Sequence, residues 1–186
     1  FGASDEVLGV IRNRPKQAGL RFNLQAAFDA VVLLRAEVPE DAFTASILGT
    51  DRVGNGVVIR ADGLVLTIGY LITEATSIWL TTNAGQVVPG HPVAYDQITG
   101  FGLVLPLGRL DAPVLERGTS ATAAVGDDVV VIGHGGRAHA LQAQLVAKRA
   151  LPGREVDVQG QPRVSENLKR VSNSPPAPPP RKRGRC

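Results

Sequence analysis

Apolar and polar positions follow one another in short runs along much of this chain, a pattern that predicts β-strands. The clearest pair is residues 57–59 (VVI) and 64–66 (LVL), two aliphatic runs joined by Arg-Ala-Asp-Gly. An Asp-Gly pair between such runs is a strong hairpin signal, because glycine accepts the positive φ that tight turns require. We therefore predict a central β-hairpin at this point of the chain.

Further strands are predicted from similar runs on both sides of the hairpin. Because no stretch of helical period alternates with them, the pattern favours an all-β barrel or sandwich over a parallel α/β sheet. A short helix is expected at residues 23–28, since Asn23 suits the N-cap position. The further predicted strands are residues 30–37, 44–48, 77–82, 87–88, 91–95 (an edge strand), 101–105, 129–132 and 139–148.

The composition is consistent with one domain and flanking segments. Of the 186 residues 44% are apolar but only 4% are aromatic, so a core would consist of Val, Leu, Ile and Ala. The one cysteine, Cys186, leaves no intramolecular disulfide, and no apolar run reaches the length of a membrane helix. The sequence begins at Phe1, which indicates a processed or partial start and leaves both a cytoplasmic and a periplasmic location open.

The character of the chain changes near residue 149. Residues 149–186 contain 7 of the 13 prolines, 9 of the 20 basic residues and no aromatic residue. Such a segment buries too little apolar surface to offset its ordering entropy, so we expect a disordered tail with polyproline II character near residues 175–180. Its net charge is +6 and that of residues 1–148 is −3, so only the tail suggests nucleic-acid binding.

Several motifs resemble those of trypsin-like serine proteases of the HtrA/Deg type. Residues 54–59 (GNGVVI) match a G-S-G-hydrophobic motif, with Asn in place of Ser, and residues 62–67 (DGLVLT) match the approach to the family's catalytic histidine. Residues 125–133 (VGDDVVVIG) match the strand that opens the family's second barrel. The resemblance implies an all-β, chymotrypsin-type fold with one antiparallel barrel and an incomplete second one.

The positions that carry catalysis in that family differ here. The catalytic histidine corresponds to Tyr70, and the catalytic aspartate, in a D-L-A-L segment, corresponds to Gly100. A phenol that titrates near about pH 10 keeps its proton at neutral pH and cannot act as the general base. No glycine-rich nucleophile motif occurs in the sequence. The serines after the hairpin, none in a Gly-x-Ser-x-Gly context, are Ser77, Ser120, Ser165, Ser172 and Ser174.

We therefore expect an inactive homologue, a pseudoprotease, whose remaining role would be to bind an extended peptide or a protein at an exposed strand edge. Two alternatives stay open. One is an HtrA-like serine endopeptidase, which would need a His and a Ser in one cleft. The other is a truncated or frame-shifted remnant, because the tail lacks the strands that the family has there.

Other candidate residues carry weaker signals. His134 and His139 could contribute to a metal site, but their spacing does not demand one, and we predict neither a metal nor a cofactor. His91 lies on a different predicted strand from the base position, which disfavours it as a substitute base. Tyr70 and Trp79 are expected to pack the barrel.

These observations divide the chain into four parts. We predict an N-terminal extension with a short helix (residues 1–28), a first trypsin-like barrel (29–124), the opening strands of an incomplete second barrel (125–148), and a Pro/Arg-rich disordered tail (149–186).

Overall fold

The computed structural model describes residues 14–148 and the backbone of residues 169–170. The predictions for residues 1–13 and for nearly all of the tail, including its disorder and its polyproline II character, lie outside these described residues.

Six antiparallel strands close into a barrel. Their order is β4-β1-β2-β3-β6-β5, and β5 pairs back to β4, so the sheet has no open side along most of its length. The closed barrel confirms the predicted all-β antiparallel architecture. The strands are β1 (Val31–Glu37), β2 (Asp51–Val58), β3 (Val65–Ile68), β4 (Ser77–Thr81), β5 (Val87–Tyr95) and β6 (Phe101–Pro106).

The core follows from the alternation of side chains along each strand. In β1, Val32, Leu34 and Ala36 are fully buried, and Leu34 lies directly opposite the buried Leu80 of β4. Aliphatic residues from all six strands and from the turn after β3 fill the interior, as the low aromatic content predicts. The largest single-site losses of stability are expected at these positions, because Leu→Ala changes in such cores typically cost about 2–5 kcal/mol.

The predicted central hairpin is present as β2 and β3. Val57 lies opposite Leu66 and Val58 opposite Val65, and the N–H of Ile59 donates to the carbonyl of Leu64 at 2.9 Å. Gly63 has a φ of 85°, in the left-handed region that only glycine occupies at low cost. The Asp-Gly signal therefore located this turn correctly.

The predicted helix near Asn23 is also confirmed, as α1 (Leu24–Asp29). The Asn23 side chain caps it, accepting a hydrogen bond from the N–H of Ala26 at 3.0 Å. Leu24 and Phe28 on its inner face are almost completely buried.

Two predicted strands are corrected by the structure. Residues 44–48 form a short helix, α2 (Ala45–Leu48), because β2 already occupies the free side of β1 and the chain must turn before it. Residues 87–95 form one continuous strand where two were predicted, with a register shift between Pro92 and Ala94; beyond Gly90 this strand pairs with β6 but no longer with β4, so residues 91–95 keep the predicted edge character. Neither helix of the described residues is long and apolar enough to cross a membrane.

A second sheet follows the barrel. In the described residues it has two antiparallel strands, β7 (Asp128–Ile132) and β8 (Ala140–Gln144). β8 is shorter than predicted, because a 3-10 turn occupies Gly136–His139 before it and its pairing ends where Gln144 lies opposite Asp128, the first residue of β7. Ala140 packs against Leu24 and Phe28 of α1, so the sheet is anchored to the body.

Candidate functional site

Tyr70, which the sequence motifs predict to stand at the position of the family's catalytic base, lies in a 3-10 turn (Gly69–Leu71) directly after β3. The turn forms because Leu71 and Ile72 enter the barrel core, where both are buried. Tyr70 itself is 44% exposed, and Trp79 on β4 is 41% exposed. The expectation that these two aromatic residues pack the barrel is therefore wrong: each occupies an outward position next to buried aliphatic neighbours.

Gly100, which the sequence motifs predict to stand at the position of the family's catalytic aspartate, lies in the turn between β5 and β6. The N–H of Gly69 donates a hydrogen bond to the carbonyl of Gly100 at 2.7 Å, so Gly100 lies against the residue that precedes Tyr70. Gly100 has a φ of 75°, and a Cβ added to it would meet no atom within 4 Å. This turn is thus built on a backbone conformation that glycine tolerates best.

Close backbone approach at this end of the barrel depends on two further glycines. A Cβ on Gly69 would overlap the ring of Tyr95, which lies over the 3-10 turn. A Cβ on Gly102 would lie 2.6 Å from Cδ1 of Ile72 and 3.2 Å from Cα of Gly69. These contacts hold the turn of Tyr70 against β5 and β6.

Four largely apolar residues with exposed surface, one of them Tyr70, lie at this end of the barrel. Ile68 at the end of β3 lies directly opposite Phe101 at the start of β6. Together with Tyr70 and with Ile98 of the β5–β6 turn, they form what we call the Tyr70 patch, whose members are 44–63% exposed. Contiguous apolar surface on a soluble domain often marks a contact site for another chain.

A buried arginine anchors the same turn from inside the barrel end. Arg52 on β2 is only 2% exposed, and its Nη1 donates to the carbonyls of Tyr70 at 2.6 Å and of Thr73 at 2.9 Å. Its Nε donates to the carbonyl of Gly49 at 3.1 Å, and its Nη2 to Oγ1 of Thr44 at 2.7 Å. The guanidinium therefore links the β1–β2 connection to the β3–β4 connection.

Glu74 completes this arrangement from the solvent side. Its carboxylate accepts hydrogen bonds from the N–H groups of Phe43 at 3.1 Å and Thr44 at 2.8 Å, and from the Thr44 hydroxyl. The pKa of Glu74 is lowered, chiefly by the Thr44 hydroxyl, with smaller contributions from the two N–H groups and from the positive charge of Arg52. Glu74 also has a φ of 60°, unusual for a residue with a side chain.

Sequence reasoning missed Arg52 and Glu74. One signal was available in the sequence: Arg52 is separated by an even number of residues from Gly56 and Val58, the other buried positions of β2, so all three face the same side of the strand. A charged residue on the core-facing phase of a strand needs partners. The partners come from loops distant in the sequence, so the pattern alone did not identify them.

The histidines lie elsewhere. His134 and His139 line a groove of about 540 Å³ between β2 and the second sheet, which Tyr70 does not line. The N–H of His134 donates to Oδ1 of Asn55 at 2.9 Å, while its buried Nε2 has no partner in the described part of the chain. His91 is exposed on β5, four residues and roughly 13 Å along the strand from Tyr95. Among the described residues no three His, Cys, Asp or Glu side chains cluster as metal ligands.

Comparison with known proteins agrees with this geometry. The family described as trypsin-like peptidase domain matches residues 54–174. Two solved structures of the HtrA-type protease AlgW with a tripeptide share the fold, each with a TM-score of 0.58 and 20% sequence identity over 70% of this chain. The match spans only 40% of the AlgW chain, and no curated protein matches the sequence. This chain belongs to the trypsin-like peptidase domain family.

Proposed function

We propose that this chain is an inactive member of its family, a pseudoprotease that binds an extended peptide or protein segment. One observation carries the proposal. Gly69, the residue before the predicted base position, is hydrogen-bonded to Gly100, the predicted acid position, and the two predicted positions carry a phenol and a hydrogen atom instead of an imidazole and a carboxylate.

The chemistry of the catalytic triad explains why these two substitutions would abolish activity. A serine hydroxyl becomes a useful nucleophile only when a base that titrates near neutral pH accepts its proton. A phenol has a reference pKa of about 10, so it is not suited to accept a proton at neutral pH as an imidazole does. Gly100 supplies nothing that could orient a base. General-base assistance, which contributes about 10²–10⁴-fold in rate, is therefore missing at this site.

The backbone of the acid position supports the same proposal. An aspartate at Gly100 would have to adopt a positive φ of about 75°, which aspartate tolerates better than most residues but less readily than glycine. The backbone conformation of this turn therefore favours glycine over a residue with a side chain.

The exposed surface at the site supports binding. The Tyr70 patch presents two aromatic and two aliphatic side chains beside the turn that Arg52 holds in place. Tyrosine combines a large apolar ring with one polar group and loses little conformational entropy when it is covered, so it is well suited to peptide contacts.

Two assays test the two halves of the proposal. The purified protein is incubated with casein and, separately, with a fluorophosphonate probe for activated serines; we expect neither turnover nor labelling. Labelling that a single Ser→Ala change abolishes would show an active endopeptidase and refute the inactive reading.

Binding is measured by fluorescence anisotropy with labelled extended peptides. Tyr70→Ala should weaken binding about tenfold, as expected for an aromatic contact residue, whereas Trp79→Ala should not change it. Trp79 is the matched control because it is an equally exposed aromatic residue on β4, which pairs with β1 and β5 and not with β3 or β6. Equal effects of the two changes would contradict a site at Tyr70.

A further inference from the structure

The last residues of β5 extend beyond the strand that closes the barrel. β4 pairs with β5 only from Val87 to Gly90, whereas β5 continues to Tyr95. On its other side β5 remains paired with β6 up to Tyr95, opposite Gly102. The closing side of Ala94 and Tyr95 is therefore a short strand edge in a barrel that is otherwise closed. Such an edge offers backbone groups for pairing with another extended chain.

A second segment of the same chain occupies this edge. Residues Lys169–Arg170 form a two-residue strand, β9, antiparallel to β5, with Arg170 opposite Ala94 and Lys169 opposite Tyr95. This adds a seventh strand to the sheet. The pairing shows that the edge accepts an extended segment in register.

The edge also adjoins the candidate site. The ring of Tyr95 lies over Gly69, the residue that precedes Tyr70 in the 3-10 turn. A segment paired with Tyr95 would therefore lie at the same end of the sheet as the Tyr70 patch, separated from Phe101 by β5 and from Ile68 by β5 and β6.

The charge at this end of β5 favours a basic segment. Asp96 follows Tyr95 directly, and its carboxylate accepts hydrogen bonds from the Ile98 N–H at 3.0 Å and the Thr99 hydroxyl at 2.7 Å, which fix it in the turn. The segment that pairs with β5 contains two consecutive basic residues, Lys169 and Arg170. A carboxylate held at the end of this edge favours a segment of positive charge over a neutral or acidic one.

We propose that the edge of β5 at Ala94–Tyr95 is the docking site for an extended basic peptide, and that Lys169–Arg170 occupies it in cis and so limits access to it. The inference rests on the proposed peptide-binding function and names its site, its ligand class and its regulation. A segment tethered to the same chain is present at an effective concentration of up to about millimolar. A peptide in solution must compete with it.

The test uses the full chain and a fluorescein-labelled peptide of residues 164–174 (VSENLKRVSNS). In the variant Lys169→Pro/Arg170→Pro the cis segment loses two backbone donors, so it should leave the edge. We expect this variant to bind the peptide roughly three- to tenfold more tightly than the parent chain, since one net hydrogen bond changes an equilibrium by about two- to tenfold. The control Lys182→Pro/Arg183→Pro changes two other basic residues of the tail and should bind as the parent chain does.

The possible outcomes test three parts of the proposal separately: cis occupancy, peptide binding and the preference for basic segments. Equal affinity of the parent chain and the Lys169→Pro/Arg170→Pro variant would overturn cis occupancy while peptide binding itself stands. Absence of binding to both would overturn the peptide-binding function and this inference with it. A peptide with Glu at both basic positions should bind more weakly, and equal binding would overturn the preference for basic segments.

Hydrogen exchange locates the bound peptide. In the Lys169→Pro/Arg170→Pro variant, added peptide should slow exchange of the amides of residues 94–95, and the parent chain should show part of that protection without any peptide. Protection confined to another strand would overturn the assignment to β5.

Discussion

Removal of the Arg52 guanidinium is the most informative single change in this barrel. The residue is almost completely buried and donates four hydrogen bonds, three of them to backbone carbonyls of Gly49, Tyr70 and Thr73. Arg52→Met keeps much of the aliphatic stem but leaves these acceptors without their donor. We expect the free energy of unfolding to fall by about 3 kcal/mol.

That magnitude results from opposing contributions. Hydrogen bonds to a charged donor contribute about 1.5–3 kcal/mol each, and four of them would give far more than 3 kcal/mol if they simply added. The change also removes the cost of burying the guanidinium, and water can reach part of the carbonyls at the barrel end, so most of the gross loss is offset. Arg52→Lys, a point charge without the fork, should lose about half as much.

Urea unfolding followed by tryptophan fluorescence measures this loss, because Trp79 is the only tryptophan and lies on barrel strand β4. With a slope of about 2 kcal/mol per molar, a loss of about 3 kcal/mol moves the midpoint by about 1.5 M. The control is Arg35→Met on the neighbouring strand. Arg35 pairs with Asp51 at 2.8 Å, but both side chains are more than half exposed, so the change should cost less than about 0.5 kcal/mol. A loss for Arg52→Met below about 1 kcal/mol, or equal to that of the control, would refute the reasoning.

Three further predictions concern the same end of the barrel. The folded-state pKa of Glu74 lies below its ordinary value of 4.5, so its carboxylate stabilises the fold above about that pH and ceases to do so as the pH falls through the folded pKa. Glu74→Gln should therefore flatten the decline of the urea midpoint below about pH 5, and an unchanged decline would contradict this. Gly69→Ala forces a methyl group into an aromatic ring and should cost about 1–3 kcal/mol, whereas Gly118→Ala, which meets no atom within 4 Å, should be nearly neutral; equal midpoints would disprove the close contact. Tyr70→His combined with Gly100→Asp should produce no casein turnover and should cost about 1 kcal/mol of stability through the positive φ, so turnover by this variant would reveal a serine nucleophile.

The local features of the fold were readable because their causes are local. Two aliphatic runs around Asp62-Gly63 fix the hairpin, since the turn requires glycine at a positive φ. Asn23 caps its helix through a neighbour three residues away. The substitutions at Tyr70 and Gly100 are likewise a matter of residue identity once the motifs around them are aligned.

The failures share the opposite cause. Residues 44–48 have a pattern that is as suitable for a strand as for a helix, and the outcome depends on β2 pairing with β1 and on Glu74, about thirty residues later, binding the Phe43 and Thr44 N–H groups. Residues 87–88 and 91–95 were predicted as two strands, yet they form one, because Gly90 between them pairs with both Ile78 of β4 and Pro106 of β6.

The antiparallel strands, the place of the central hairpin turn, and the prediction that a phenol and a glycine stand where a base and an acid would be needed all follow from the sequence alone. The folded structure was required to show that Gly69, next to Tyr70, is hydrogen-bonded to Gly100, that Arg52 and Glu74 hold the turn of Tyr70, and that the end of β5 is left as an edge. The physical reason is that turns and caps are set by interactions within a few residues. Burial of a charge, exposure of an aromatic ring and closure of a barrel depend instead on segments that meet only when the chain has folded.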